Sequence, residues 1–164
     1  VISSAYPRAR ETAAIVAPAF GAEPIEVISE FGEHDPGPQC DGLLYTDFTA
    51  RFGDPDWEND PYGVTFPGGE TIAEFQIRIG AATRALIERV GAGTAVVFCH
   101  GGVVDTVLRQ ALRTSGTGIF EIHTKNTSIT EFVIVRPGRS RLVRYNDAAH
   151  TADLPVSTNR PEDF

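Results

Sequence analysis

A histidine and two glycines stand where a predicted strand meets a predicted helix. Residues 95–112, AVVFCHGGVVDTVLRQAL, begin as a buried strand and end with the apolar spacing of an amphipathic helix, with His100, Gly101 and Gly102 at the junction. In an open α/β sheet, the residues after a strand's carboxyl end line the crevice where ligands bind. Glycines let a ligand approach the backbone, and a helix N-terminus attracts anions. His100 is therefore either part of an anion site or a half-buried histidine bonded to a neighbouring carbonyl in a tight turn.

An arginine lies at a second junction of the same kind. Residues 1–4, VISS, are typical of the end of a buried strand, and Arg8 follows at the start of a predicted helix. The forked guanidinium group of arginine suits bidentate binding of an anion. Taken alone, Arg8 fits better as a solvated residue of the first helical turn.

Other kinds of catalytic site fail on spacing. Cys99 would be a candidate phosphatase nucleophile if an arginine stood six residues later, but that residue is Asp105. The sequence has no G-x-S-x-G elbow, no P-loop with Gly-Lys-Ser and no G-x-G-x-x-G after a strand. Glu33 and His34 adjoin an aspartate, but the histidines follow no recognisable metal-ligand spacing, so we expect no metal site.

The predicted elements alternate between strands and helices. Thr71 and Glu74 form a candidate capping box at the start of a long helix, and Pro137 and Gly138 turn a hairpin. An acidic segment that is rich in aromatic residues, 43–66, suggests a short helix and a folded loop. The strands are predicted at 1–4, 25–28, 94–98, 127–135 and 140–145, and the main helices at 6–20, 71–90 and 103–112. This order indicates a three-layer α/β/α fold with a mostly parallel mixed sheet.

Composition limits the classes of protein. A chain of 164 residues, 41% hydrophobic and 22% charged, suits one domain over 1–164, with a polar tail at 146–164. The net charge of -8 argues against nucleic acid and anionic membranes as partners, and no apolar run approaches the roughly 20 residues of a membrane span. Cys40 and Cys99 fit neither a metal site nor a disulfide framework, so we expect a reducing, cytoplasmic location.

Taken together, the two junctions and the acidic loop between them resemble the histidine phosphatase superfamily, which includes the cofactor-dependent phosphoglycerate mutases. The family pattern begins with two serines, an Arg-Ala pair and a Thr-Ala pair at fixed spacing. It continues with a hydrophobic residue, a glutamate and a glycine, and later with a His-Gly pair after a strand. The matching residues are Ser3, Ser4, Arg8, Ala9, Thr12, Ala13, Phe31, Glu33, Gly37, His100 and Gly101, and the resemblance covers about residues 1–135.

The resemblance implies a phosphoglycerate mutase-like fold and a phosphohistidine mechanism without a metal or other cofactor. Arg8 would bind phosphate oxygens together with Ser4 and Gly101, and His100 would stabilise the developing charge on the same oxygens. Glu33 would protonate the leaving oxygen and later accept a proton from water.

The family's nucleophile is the one feature that these 164 residues lack. In the family it is the histidine of an Arg-His-Gly motif on a strand upstream of the paired serines, and no Arg-His-Gly occurs here. His100 matches a different pocket histidine, and His34 follows the predicted acid. We therefore expect the sequence to be part of a longer protein that supplies the nucleophile and its strand.

The substrate class is predicted from residues 34–70, which correspond to a lid-like insertion in the family. This segment contains eight acidic residues and a single basic one, Arg51. Such a lid would repel a second phosphate group, which favours hydrolysis of a small phosphate monoester over the transfer catalysed by a mutase. If the acids are only a solvated face, they say nothing about the substrate.

Two other classes stay open at this point. Without its nucleophile, the chain could act as a noncatalytic phosphate-binding module on the same fold. The aromatic hairpin edge could also serve to form a homodimer. A mutase-type phosphotransferase is the alternative within the enzymes.

Overall fold

The computed structural model describes residues 1–21, 24–63, 66–117 and 122–154. They form two compact units, 1–123 and 124–164, described separately below. In the first unit the strands are β1 (Ile2–Ser3), β2 (Glu26–Val27) and β3 (Val97–Phe98), and the helices are α1 (Pro7–Val16), α2 (Tyr45–Phe52), α3 (Ile72–Val90) and α4 (Gly101–Leu112). Within the described ranges, none of the helices combines the length and the apolar character that crossing a membrane requires.

The first unit is built on a short parallel sheet in the order β2-β1-β3. Ser3 pairs with Val27 on one side and with Phe98 on the other. Each of these strands is two residues long, shorter than predicted. Backbone hydrogen bonds from Ile2 to Val96 and from Ile28 to Ser3, both 2.9 Å, continue the pairing beyond those residues.

The helices bury the sheet with small and branched side chains. A core of Ile2, Phe31, Phe75, Ile79 and Val103 joins β1 to α3 and α4. Helix α1 buries Ala9 and Ala13 and contacts β1 and β3. Because successive side chains of a strand point to opposite faces, Ile2 and Ser3 face different layers. Helices and parallel strands thus give the predicted α/β class.

Local signals set the helix boundaries. The predicted capping box is confirmed, since the Glu74 amide donates to Thr71 Oγ1 at 3.1 Å and the Thr71 amide donates to Glu74 Oε2 at 2.8 Å. Helix α1 ends before the predicted residue 20, because Pro18 has no N–H to donate and the chain tightens into a 3-10 turn over Ala17–Phe20. Another 3-10 turn, Ser29–Phe31, lies in the predicted loop.

The aromatic segment contains the predicted short helix. Phe48 on α2 is buried, and its ring lies 4.8 Å from that of Phe66 and 5.4 Å from that of Phe52. These contacts fasten α2 to the segment that leads into α3.

The second unit contains an antiparallel hairpin of β4 (Ile129–Arg136) and β5 (Arg139–Asp147), turned at Pro137 and Gly138 as predicted. Strand β5 runs two residues into the predicted tail, and a 3-10 turn, Ala149–Thr151, follows. Residues 155–164 of the tail lie outside the described residues.

Replacing Ile79 with alanine should lower the free energy of unfolding by about 2–5 kcal/mol, because it leaves a cavity in the core between α3 and α4. Ile79 has no solvent exposure, whereas Ile77 on the same helix is 72% exposed. Ile77→Ala is therefore the matched control and should change stability by less than about 0.5 kcal/mol. Urea unfolding of both variants measures the difference. Equal losses would contradict this packing.

Candidate active site

Parallel pairing of β1 and β3 brings two residues of the candidate site together. The Ser4 amide donates to the Phe98 carbonyl at 2.9 Å, so both strands end at the same edge of the sheet. Just beyond that edge, Ser4 Oγ lies 2.7 Å from His100 Nε2. Both side chains are buried. The predicted junctions thus meet directly, although 96 residues separate them.

Arg8 completes this cluster from the first turn of α1. Its Nε–H donates to His100 Nδ1 at 3.2 Å. Among the described residues, no acceptor bonds to its Nη1 or Nη2 atoms, and the side chain is exposed. The outer side of the guanidinium fork is therefore available to an oxyanion.

The hydrogen bonds fix the tautomer of neutral His100. Because arginine can only donate, Nδ1 must accept, and the ring proton stands on Nε2 and is donated to Ser4 Oγ. Burial lowers the pKa of His100, and the positive charge of Arg8 lowers it further, against a smaller opposing effect of Glu33. The ring is thus held neutral near pH 7.

Tyr6 is a member of the cluster that sequence reasoning missed. Its ring meets His100 edge to face at 5.1 Å between centroids, and the Arg8 guanidinium carbon lies 4.7 Å from its centre. Such a cation–π contact helps to hold the arginine in place. Burial raises the pKa of the Tyr6 hydroxyl, with a further contribution from Asp35. The sequence signal that could have identified it is an aromatic residue between Ser4 and Arg8, two predicted site residues.

Glu33 approaches the site from the loop after the Ser29–Phe31 turn. Its Oε2 accepts the Gly102 amide of α4 at 3.0 Å, and its Oε1 accepts the His34 amide at 3.0 Å. A carboxylate at a helix N-terminus is stabilised by the helix dipole. A Cβ on Gly102 would lie 2.3 Å from Glu33 Oε1, so this carboxylate position requires glycine there.

The remaining candidate residues have well-defined places. Gly101 is the first residue of α4, while Gly102, not singled out as a site residue, is the glycine that contacts Glu33. His34 lies between Phe66 and Phe75, and its Nε2 is 2.8 Å from the Glu70 carbonyl. Burial raises the pKa of the Cys99 thiol to about 11, so it stays protonated and unreactive, in line with its exclusion as a nucleophile.

The cluster combines three kinds of group that suit phosphate chemistry. It offers the free donors of Arg8, the N-terminus of α4, and a carboxylate that acts electrostatically on His100. Donors can neutralise charge on phosphoryl oxygens, and a carboxyl group can protonate a leaving oxygen. The roles of Ser4, Arg8, Glu33, His100 and Gly101 toward a substrate stay predictions.

Comparison with known proteins gives consistent matches to one family. Residues 1–148 match the sequence model of the Histidine phosphatase superfamily (branch 1). No curated protein matches the sequence.

Similar solved structures share the fold. YhfR from Bacillus stearothermophilus has a TM-score of 0.76 at 22% identity, with 91% of this chain and 74% of that chain covered. The alpha-ribazole phosphatase from Shigella flexneri has 0.77 at 18% identity, covering 89% and 72%. A phosphoglycerate mutase from Bacillus anthracis has 0.67 at 19% identity, covering 92% and 73%. These likenesses confirm the predicted phosphoglycerate mutase-like fold.

The free energy of unfolding should decrease as the pH is lowered, because His100 is held neutral in the folded protein. The folded protein holds its pKa below the ordinary 6.5, so the unfolded chain binds the proton first as the pH drops. The free energy of unfolding should therefore decrease below about pH 6.5. Urea unfolding at pH 5, 6 and 7 should give a flatter dependence for His100→Gln than for the unmodified protein. The exposed His150 provides the control variant His150→Gln, which should keep the original slope. An unchanged slope in His100→Gln would contradict a neutral buried ring.

Proposed function

Because the chain belongs to the histidine phosphatase superfamily, branch 1, we propose that it carries the phosphate-binding and acid–base groups of a metal-independent phosphomonoesterase. The reaction passes through a phosphohistidine, and its nucleophile lies outside these 164 residues. Arg8 and His100 bind the phosphoryl oxygens with Ser4 and Gly101, and Glu33 is the general acid and base.

The observation that carries this proposal is the meeting of Ser4, Arg8 and His100 at one sheet edge. The Arg8 Nε–H is used to hold His100, while its Nη groups are left for a ligand. One side chain thus has two roles, because it positions His100 and also binds the ligand. Ser4 holds the other ring nitrogen, so His100 presents its ring in a fixed orientation. The Nη donors of Arg8, held in place by this fixed ring, stabilise a transition state because they need not reorient during the reaction.

Glu33 takes part in one proton transfer in each half of the reaction. In the first half, the nucleophilic imidazole nitrogen forms a bond to phosphorus while the bond to the ester oxygen breaks, and protonated Glu33 gives its proton to that oxygen. In the second half, water attacks phosphorus and loses a proton to Glu33, and the nitrogen–phosphorus bond breaks to release inorganic phosphate. The first half leaves Glu33 ionised and the histidine phosphorylated, and the second half returns both groups to their starting states.

The acidic segment 34–70 supports hydrolysis rather than phosphate transfer between two substrates. A mutase must retain a doubly phosphorylated intermediate, which negative side chains near the pocket would repel. Glu70 does not contribute to this repulsion in full, because Arg78 pairs with it. The alpha-ribazole phosphatase among the structural neighbours agrees with a hydrolase, whereas the phosphoglycerate mutase keeps transfer as the alternative outcome.

The full-length protein should release phosphate from p-nitrophenyl phosphate in the presence of EDTA. Arg8→Ala and His100→Ala should each lower the rate by about 100-fold or more. The first removes the guanidinium donors to the phosphoryl oxygens, and the second removes the ring that holds Arg8 and whose N–H would turn from Ser4 Oγ to the same oxygens. Arg10, exposed on the same helix, provides the control variant Arg10→Ala, with a near-normal rate expected. Near-normal turnover in Arg8→Ala would remove that residue from the pocket. Transfer between phosphoglycerates in place of hydrolysis would indicate a mutase.

Glu33→Gln should impair substrates with poor leaving groups far more than p-nitrophenyl phosphate. An alkyl alkoxide must be protonated as it departs, whereas p-nitrophenolate leaves without a proton. Steady-state rates with an alkyl phosphate and with p-nitrophenyl phosphate measure this difference. Glu30, exposed and bonded to the Ser29 hydroxyl at 3.0 Å, gives the matched control Glu30→Gln. Equal losses on the two substrates would argue against Glu33 as the acid.

A further inference from the structure

The loop that carries Glu33 is fastened to α3 by one arginine. Arg78 Nη1 donates to the Glu30 carbonyl at 2.7 Å and to the Gly32 carbonyl at 3.2 Å, and its Nη2 donates to the Glu33 carbonyl at 3.4 Å. Three carbonyls within four successive residues thus converge on one guanidinium group. These hydrogen bonds hold the backbone at Glu33 and in the three residues before it in position.

Glu70 holds both Arg78 and the other side of the same loop. Arg78 Nε donates to Glu70 Oε2 at 3.1 Å, and Nη2 also bonds to Oε1. Glu70 Oε1 accepts the Asp35 amide at 3.0 Å, and the Glu70 amide donates to the Asp35 carbonyl at 3.0 Å. The Glu70 carbonyl lies 2.8 Å from His34 Nε2. Contacts with this pair therefore flank Glu33 along the chain on both sides.

The Glu33 carboxylate depends on its backbone for its position. Among the described residues, its oxygens accept only amide hydrogens, those of His34 and Gly102, and no side chain donates to them. A shift of the loop would therefore move the carboxylate away from the start of α4. A displacement of about 1 Å at a reacting group can cost about 100-fold in rate.

We propose that Arg78 and Glu70 are positioning residues that hold Glu33 at the N-terminus of α4. This inference rests on the proposed function, in which Glu33 is the general acid. The two side chains are only 25% and 16% exposed, so water competes weakly for their hydrogen bonds. Only a planar fork of donors can serve three carbonyls and a carboxylate at once, and the single ammonium group of lysine cannot.

The first test compares Arg78→Lys in the full-length protein with two substrates. With an alkyl phosphate, kcat should fall by about 10- to 100-fold, while with p-nitrophenyl phosphate it should fall less than about threefold. KM should stay unchanged, because the phosphate-binding groups are not altered. Arg89 on the same helix also pairs with a glutamate, Glu26, at 2.7 Å but is half exposed, so Arg89→Lys is the matched control. Equal losses on both substrates, or none, would overturn the proposal.

The second test follows amide hydrogen exchange and needs no activity. In Arg78→Lys and in Glu70→Gln, the Gly102 amide should exchange about tenfold faster, because its acceptor has moved. The Val104 amide, two residues later in α4, donates to the His100 carbonyl at 3.1 Å and should keep its rate. Unchanged exchange at Gly102 in both folded variants would overturn the positioning role.

Together, the kinetic and amide-exchange measurements distinguish a failure of the proposed function from a failure of the positioning role. If the unmodified full-length protein releases no phosphate from either substrate, the proposed function fails, while exchange at Gly102 still decides whether Arg78 and Glu70 place the Glu33 carboxylate. If the Glu33→Gln variant already shows the leaving-group effect, adding Arg78→Lys should reduce kcat little further, because both changes act through one group. Additive losses would assign Arg78 a different role.

Discussion

Parallel pairing between β1 and β3 is the constraint on which the candidate site depends. Parallel strands end at the same edge, so the residues that follow them must meet there. The bond from the Ser4 amide to the Phe98 carbonyl sets the register, and one step further it places Ser4 beside His100. A slip of the register by one residue would turn each strand's side chains to the opposite face and separate these two. The buried core around Ile2 and Val103 keeps that register.

Two helix starts then add the charged groups around this edge. Helix α1 begins at Pro7, whose fixed backbone suits the first helical turn and so places Arg8 next to His100. Helix α4 begins with two glycines, and the second of them admits the Glu33 carboxylate because it has no Cβ. The positive and negative groups thus come from different elements, and both act electrostatically on His100. The neutral ring is held by hydrogen bonds to Ser4 and Arg8 rather than by its own charge.

The sequence predicts those features that are encoded locally. Ser4, Arg8 and His100 could be named because each lies at a strand-to-helix junction, and Thr71 and Glu74 because a capping box spans only four residues. Arg78 could not be found in this way. It stands among the residues of a long amphipathic helix and looks like a solvated side chain. Besides Glu70, its acceptors are backbone carbonyls that lie 45 to 48 positions away. Carbonyl groups carry no residue-type signal, so only the folded loop reveals the contact.

Glu70 has one predicted role in the sequence, repulsion of anions, and a different one in the structure, support of the loop. Counted along the chain, it belongs to an acidic segment that would repel anions. In the fold it is paired with Arg78, and its oxygens accept an amide of the loop that it supports. A partly buried carboxylate with such partners holds the loop in position and repels anions little, because the paired arginine neutralises its charge. If the segment covers the pocket as proposed, the repulsion would therefore rest on its seven other acids, which all precede Glu70 in the chain and include Asp47 on α2.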